Sequence, residues 1–288
     1  MPKKAHPMDV TRTVISVMGL EDKDTNNNSP TSNMRKAIRI FAKTPTALAA
    51  FFRVRKGKKI LSPKKGLGFS ENFFYMCFGK VPNKEIVKAF DVSLILYAEH
   101  SFNVSTFTAR TITSSLSDIH SAITGAVGSL KGPLHGGANE EVMRMMNKIR
   151  RPENALKWIN KALNKKDVIM GFGHRVYKKG DSRVPTMEKY FKNVSKIKND
   201  KKFNKIYDIV KNVMIEKKDI HPNVDYPTGP TYHLMGFDTD FFTPIFVLSR
   251  ITGWSAHIME QHAANKLIRP LSKYNGREHR KVMLLNQR

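Results

Sequence analysis

Three short segments of this chain, GPLHGGANEE, GFGHRVYKKGDSR and HPNVDYPTGP, place His135, His174 and Asp225 where the backbone must bend. Polar side chains on tight loops are where sites are usually built. His135 precedes Gly136-Gly137 and a helical pattern, so its ring could sit beside unpaired helix N-terminal N–H groups whose positive potential disfavours imidazolium. A neutral histidine there can donate a hydrogen bond, although a turn or cap role explains the spacing as well. His174 lies among Arg175, Lys178, Lys179 and Arg183, a cationic neighbourhood that suits a phosphate or carboxylate, or else forms a basic surface loop. Asp225, between His221-Pro222 and Pro227, also fits an Asx-type turn. Arg250 sits in PIFVLSRITGW, an apolar helical stretch that would bury it, and a buried guanidinium needs an anionic partner. With few acids nearby in sequence, a bound acid fits better than an internal carboxylate. His257 and Gln261 continue that helix face and read as core polar groups.

The elements that must hold these residues are mainly helical. In PNKEIVKAFDVSLILYAEH, Ile86, Phe90, Leu94 and Tyr97 recur at the period of one helix face, ending on Glu99 and His100. Small residues dominate Ser105 to Leu130, which predicts a buried, closely approached helix pair. Asn139 to Ile149, Pro152 to Leu163 and Phe203 to Met214 repeat the helical period. Breaks are expected at Thr44-Pro45, Ser62-Pro63, Lys131-Gly132-Pro133, Lys179-Gly180 and His221 to Pro230, and the polar run at residues 22–33 reads as an exposed loop. Alternating strand patterns are nearly absent.

Composition narrows the possible functions. A chain of 288 residues, 40% hydrophobic and 26% charged, can bury one large core or two unequal ones. The lone Cys77 cannot form an internal disulfide, which fits a reduced, cytoplasmic setting. No apolar run approaches the ~20 residues that span a bilayer, so membrane insertion is not expected. Fifty basic against 24 acidic residues, net +26, would attract nucleic acid, acidic surfaces or phosphorylated small molecules. The lysines are spread along helix faces and lack aromatic interleaving, which favours solvated surface over a nucleic-acid groove. No histidine pair has zinc-helix spacing and no glycine loop has a phosphate-binding fingerprint, so no metal is assigned.

Taken in order, AEHSFNVSTFTAR, GPLHGGANEEV, GFGHRVYKKGDSR, PNVDYPTGP, FTPIFVLSRITGWSAHIMEQ and LIRPLSKYNG resemble the citrate synthase family over essentially the whole chain. The resemblance implies a multi-helix fold, with residues 1–135 and 237–288 in a large domain and 136–236 in a small mobile one. It implies condensation of oxaloacetate with a short acyl-CoA through an enolate, without metal or other cofactor. In that scheme His135 hydrogen-bonds the thioester oxygen, Asp225 takes the α-proton, and His174 polarises and protonates the ketone. His100, His174, Arg183, Arg250 and Arg269 match the oxaloacetate binders, the arginine at the position of Arg269 coming from the partner of a homodimer, and Lys178 matches a basic residue set against CoA phosphate.

Two departures accompany the match. Asp181-Ser182-Arg183 replaces the family's Asp-Pro-Arg, which is expected to loosen the loop aiming Arg183. The family also carries a further N-terminal segment ahead of the point matched by AHPMDVTRTVIS, so a truncated and inactive chain is one expectation. The motifs YPTGPTYHLMGF and IRPLSKYNG look more like 2-methylcitrate synthases, which favours propionyl-CoA, with an acetyl-CoA-specific citrate synthase as the alternative. A basic nucleic-acid-binding module is the alternative of another class.

Overall fold

The computed structural model describes residues 1–174, 176–177 and 179–288, and twelve α-helices account for most of them. In chain order these are α1 (Pro7–Glu21), α2 (Pro30–Arg55), α3 (Phe69–Phe78), α4 (Lys84–Tyr97), α5 (Val104–Ser114) and α6 (Ile119–Leu130). They are followed by α7 (Ala138–Ile149), α8 (Pro152–Asn164), α9 (Val184–Ile197), α10 (Lys202–Lys218), α11 (Asp225–Met235) and α12 (Phe242–Ala263). Among the described residues the only β-pairing is an isolated bridge between Phe172 and Pro222. Among the described residues no helix is long and apolar enough to cross a membrane.

Local chemistry sets the helix starts. Asn83, Asn103 and Asp118 accept backbone N–H bonds at the heads of α4, α5 and α6, satisfying donors that helix geometry leaves unpaired. Small residues let α5 and α6 pack closely, with α1 and α12 against them. One apolar core gathers Tyr97, Ala109, Ile123, Ala126, Val127 and Trp254. A larger one joins the Phe73, Phe74, Phe90 and Phe237 ring cluster to the apolar faces of α7, α8, α10 and α11.

Three expected breaks are different in the fold. Thr44-Pro45 lies inside the continuous α2, where Thr44 Oγ1 bonds the Ile40 carbonyl and the helix is held by α1, α3 and α12. Tertiary packing thus offsets the ~3 kcal/mol that an interior proline costs. The polar run at 22–33 does not remain a loop throughout, because Ser29 caps α2 and Ser32 and Asn33 are buried within it. The segment at Asp225–Pro230 is the first half of α11, despite Pro227, Gly229 and Pro230. That helix is buried along its length, and Gly229 is needed because a Cβ there would stand 2.6 Å from the Asn139 carbonyl oxygen.

Candidate active site

His100, His135, His174, Arg183, Asp225 and Arg250 line one cavity of about 620 Å³, although they are drawn from positions spread over half the chain. The three histidines and Asp225 are each set by a different junction, whereas Arg250 projects from the middle of α12. His100 follows α4, and the next residue, Ser101, has φ 48°, a left-handed turn that sends the chain towards α5. His135 sits on the loop between α6 and α7, which folds back so that the Gly136 N–H donates to the Leu130 carbonyl at 3.0 Å. Thr243 at the head of α12 clamps this loop, its hydroxyl reaching Glu140 Oε1 and the Gly136 carbonyl at 3.3 Å. His174 follows Gly171 and Gly173, both at positive φ; a Cβ on Gly171 would meet Val142 at 2.5 Å. Asp225 is the first residue of α11, and its own N–H donates to Asn223 Oδ1 at 3.1 Å.

Backbone donors decide the histidine tautomers. The Ser105 N–H donates to His135 Nε2 at 3.1 Å, and a nitrogen that accepts from an N–H carries no proton. Ser105 Oγ lies 2.8 Å from the same nitrogen and accepts from Trp254 Nε1 at 3.1 Å. Burial, aided by the Arg250 charge, holds the His135 pKa down to about 4, so the ring is neutral at pH 7 and Nδ1–H is its free donor. His174 Nδ1 likewise accepts from the N–H groups of Val176 and Tyr177 at 3.0 and 3.2 Å, leaving Nε2–H. Burial lowers the His174 pKa, with Asp181 opposing and Arg183 reinforcing the shift. His100 stands edge-on to the His174 ring at 4.9 Å, and burial together with Arg183 brings its pKa to about 4.

The anionic and cationic groups are held as firmly. Burial pushes Asp225 up to about 6, opposed chiefly by a hydrogen bond from the Tyr97 hydroxyl and by the Arg183 charge. Arg183 makes a two-pronged contact with the buried Asp181, Nε to Oδ1 at 2.9 Å and Nη2 to Oδ2 at 2.7 Å. Asp181 also accepts the Val224 N–H at 3.0 Å, which links Arg183 to the start of α11. Arg250 is buried in α12 and gives its Nε to the Tyr97 carbonyl at 2.6 Å. Among the described residues no carboxylate pairs with its guanidinium, and burial with the Arg183 charge holds its pKa down to about 10.

The remaining sequence candidates fall elsewhere. Arg269 lies on the exposed segment beyond α12 and does not line the cavity. Lys178 lies outside the described residues. His257 and Gln261 are partners of Arg110, at 3.0 and 3.1 Å, as core polar groups should be. Among the described residues no group of three His, Cys, Asp or Glu side chains is placed to hold a metal ion. Tyr97, Ser105 and Asp181, which touch the chemical residues directly, were visible in the sequence only as helix-face or loop positions; no local signal marked their partners.

The family model described as citrate synthase, C-terminal domain, matches residues 1–271. A 2-methylcitrate synthase from Mycobacterium tuberculosis is 54% identical over 280 residues, covering 97% of this chain and 71% of the relative. A citrate synthase from Mycolicibacterium smegmatis is 50% identical, with 98% and 76% covered. The citrate synthase of Thermoplasma acidophilum, solved as a ternary complex with carboxymethyl coenzyme A and oxaloacetate, superposes with a TM-score of 0.88 at 30% identity, covering all of this chain and 77% of that one.

Proposed function

The chain belongs to the citrate synthase family, and we propose that it condenses oxaloacetate with a short acyl-CoA and water, giving 2-methylcitrate from propionyl-CoA or citrate from acetyl-CoA, and releasing CoA. The observation that carries the reading is the meeting of two neutral histidine donors, one carboxylate of raised pKa and two guanidinium groups on a single cavity. In this scheme Arg250, Arg183 and His100 bind the carboxylates of oxaloacetate, for which planar guanidinium forks are well suited. Asp225 removes the α-proton of the thioester while the Nδ1–H of His135 hydrogen-bonds the oxygen on which enolate charge develops. The enolate carbon attacks the ketone carbon as His174 Nε2–H protonates the ketone oxygen. Hydrolysis of the resulting thioester then frees CoA.

The scheme uses no metal or further cofactor. The scheme takes residues 1–135 with 237–288 as a larger part and 136–236 as a smaller one; by that division His100, His135 and Arg250 belong to the first and His174, Arg183 and Asp225 to the second, and closing the smaller part on oxaloacetate would exclude water and complete the acyl-CoA site. Arg269, exposed on its tail, would reach the site of a second copy in a homodimer, and the resemblance assigns Lys178 to the CoA phosphates. The lone, buried Cys77 is compatible with a reduced cytoplasmic setting. Propionyl-CoA and acetyl-CoA differ by one methylene, worth ~1–3 kcal/mol in a pocket, and the motifs that favour 2-methylcitrate synthases make propionyl-CoA the better substrate here.

The test is CoA release by the purified chain, given oxaloacetate with each acyl-CoA in turn, beside an Asp225→Asn chain. Turnover reduced by at least roughly 100-fold in the variant is expected, that being the lower range for loss of a positioned general base. Equal turnover in the two chains would remove Asp225 from the chemistry.

A further inference from the structure

The residue that touches both halves of this site is Tyr97, at the last position of α4. Its side chain is buried, 1% exposed, with the ring against Phe246 at 4.2 Å between centroids. The phenol donates to Asp225 Oδ1. The carbonyl of the same residue, one of those that a helix end leaves without an intrahelical partner, accepts Arg250 Nε at 2.6 Å. Because α4 and α11 are separated by more than a hundred residues of chain, this contact is a tertiary one, built where the two helices meet.

We propose that Tyr97 is the positioning residue of the enolising base: it holds Oδ1 of Asp225, leaves Oδ2 to meet the acyl α-carbon, and through its carbonyl registers the base against the guanidinium that binds oxaloacetate. The inference deepens the reading of the site as a condensing enzyme and rests on it. Burial, with the Asp225 charge adding to it, drives the phenol pKa far above the ordinary tyrosine range, so at working pH it is a donor and never a competing base. The charged groups that face Asp225 are Arg183, Asp181 and Arg250, with His100, His135 and His174 on the same cavity wall. None of the others is a neutral donor hydrogen-bonded to the carboxylate. A phenol bond stabilises the ionised carboxylate, so its removal raises the pKa of the base from its position near 6.

Tyr97→Phe keeps the ring and its contact with Phe246 and deletes only the hydroxyl. In the full chain, kcat is measured from acidic to alkaline pH with oxaloacetate and the better acyl-CoA, beside Asp225→Asn. A hydrogen bond to a charged group is strong enough to move the acid limb by about one pH unit towards alkaline and to lower kcat roughly tenfold on its acid side. The deficit is expected to shrink above the limb, with the KM for oxaloacetate within about twofold because Arg250 keeps its backbone anchor. A purely structural tyrosine would instead lower activity equally at every pH. A pH-independent loss, or a profile that does not move, overturns the inference while an inactive Asp225→Asn chain leaves the functional reading standing. If Asp225→Asn turns over like the wild type, the assignment of the base falls and this inference with it. A second readout needs no turnover: the carbon-13 titration of the Asp225 carboxyl, identified by its loss in Asp225→Asn, moves to higher pH in Tyr97→Phe. An unmoved midpoint overturns the bond itself.

Discussion

Arg250→Met separates what the site does for binding from what it costs the free fold. The arginine is 2% exposed, its Nε has one carbonyl partner, and its guanidinium lies over the Phe246 ring at 4.7 Å. Burial and the Arg183 charge bring its pKa from 12.5 to about 10, and a drop of roughly 2.5 pH units is a cost of about 3 kcal/mol to the charged form. Methionine removes that cost and preserves most of the packing, but gives up one hydrogen bond worth about 1 kcal/mol. The ligand-free variant is therefore expected to be more stable by about 1–2 kcal/mol, a few degrees in Tm for a chain of this size. With oxaloacetate the order reverses. The wild type gains about 2.7 kcal/mol at a ligand concentration of about 100 times Kd, whereas the variant, leaving a carboxylate without its fork, gains almost nothing. Urea unfolding with and without oxaloacetate reads both arms. A variant that is less stable than wild type by 1 kcal/mol or more without ligand would show that Arg250 is already compensated within the fold, and the argument that it awaits a bound acid would fail.

Two further substitutions test the positioning of the site. Gly253→Ala places a Cβ 2.4 Å from the Ala98 carbonyl oxygen and 3.2 Å from Glu99 Cα; such overpacking costs about 1–3 kcal/mol, and displacement of the chain into His100 should raise the KM for oxaloacetate in the same preparation. Thr243→Val removes the hydroxyl that clamps Glu140 and the Gly136 carbonyl. It is expected to lower kcat about tenfold through His135, with oxaloacetate binding by calorimetry unchanged, and a change confined to oxaloacetate affinity would contradict the placement of the clamp.

The parts of the fold legible in the sequence are those where one helix face alone meets the core. Ile86, Phe90, Leu94 and Tyr97 marked α4 because their spacing is the imprint of a single buried stripe. By contrast α11 is buried all round, so no stripe exists to be read, and its prolines and Gly229 follow the demands of neighbours such as the Asn139 carbonyl. Pro45 in α2 misleads for another reason: its local cost is offset by packing against α1, α3 and α12, which the local sequence does not show. The site divides in a similar way. His135, His174 and Asp225 stood out because they carry titratable groups on glycine- and proline-rich segments. Tyr97, Ser105 and Asp181 did not, because an aromatic on an apolar face, a serine in a small-residue helix and an acid beside an arginine each have ordinary local explanations. Their importance arises from contacts such as Tyr97 with Asp225 and Ser105 with His135, which exist only after helices distant in sequence are packed.

The charge pattern of the cavity follows from the same packing. A chain of net charge +26 could have built its anion site from lysines and protonated histidines, yet the three imidazoles on the cavity are all pushed towards neutrality. In the proposed scheme their lost charge is what allows Asp225 to act as the base. Three imidazolium ions around this carboxylate would hold it far below its present value near 6 and make it a weak base, while they would cease to be matched donors for an enolate oxygen. Confining the positive charge to Arg183 and Arg250 resolves the conflict, because a guanidinium binds a carboxylate at every working pH and cannot exchange protons with the substrate. The backbone N–H groups of Ser105, Val176 and Tyr177 then assign the remaining imidazole protons without adding charge. In the proposed scheme the charge that binds oxaloacetate thus comes from two guanidinium groups that do not titrate at working pH, His100 adds a neutral donor, and the proton transfers are left to Asp225, His135 and His174.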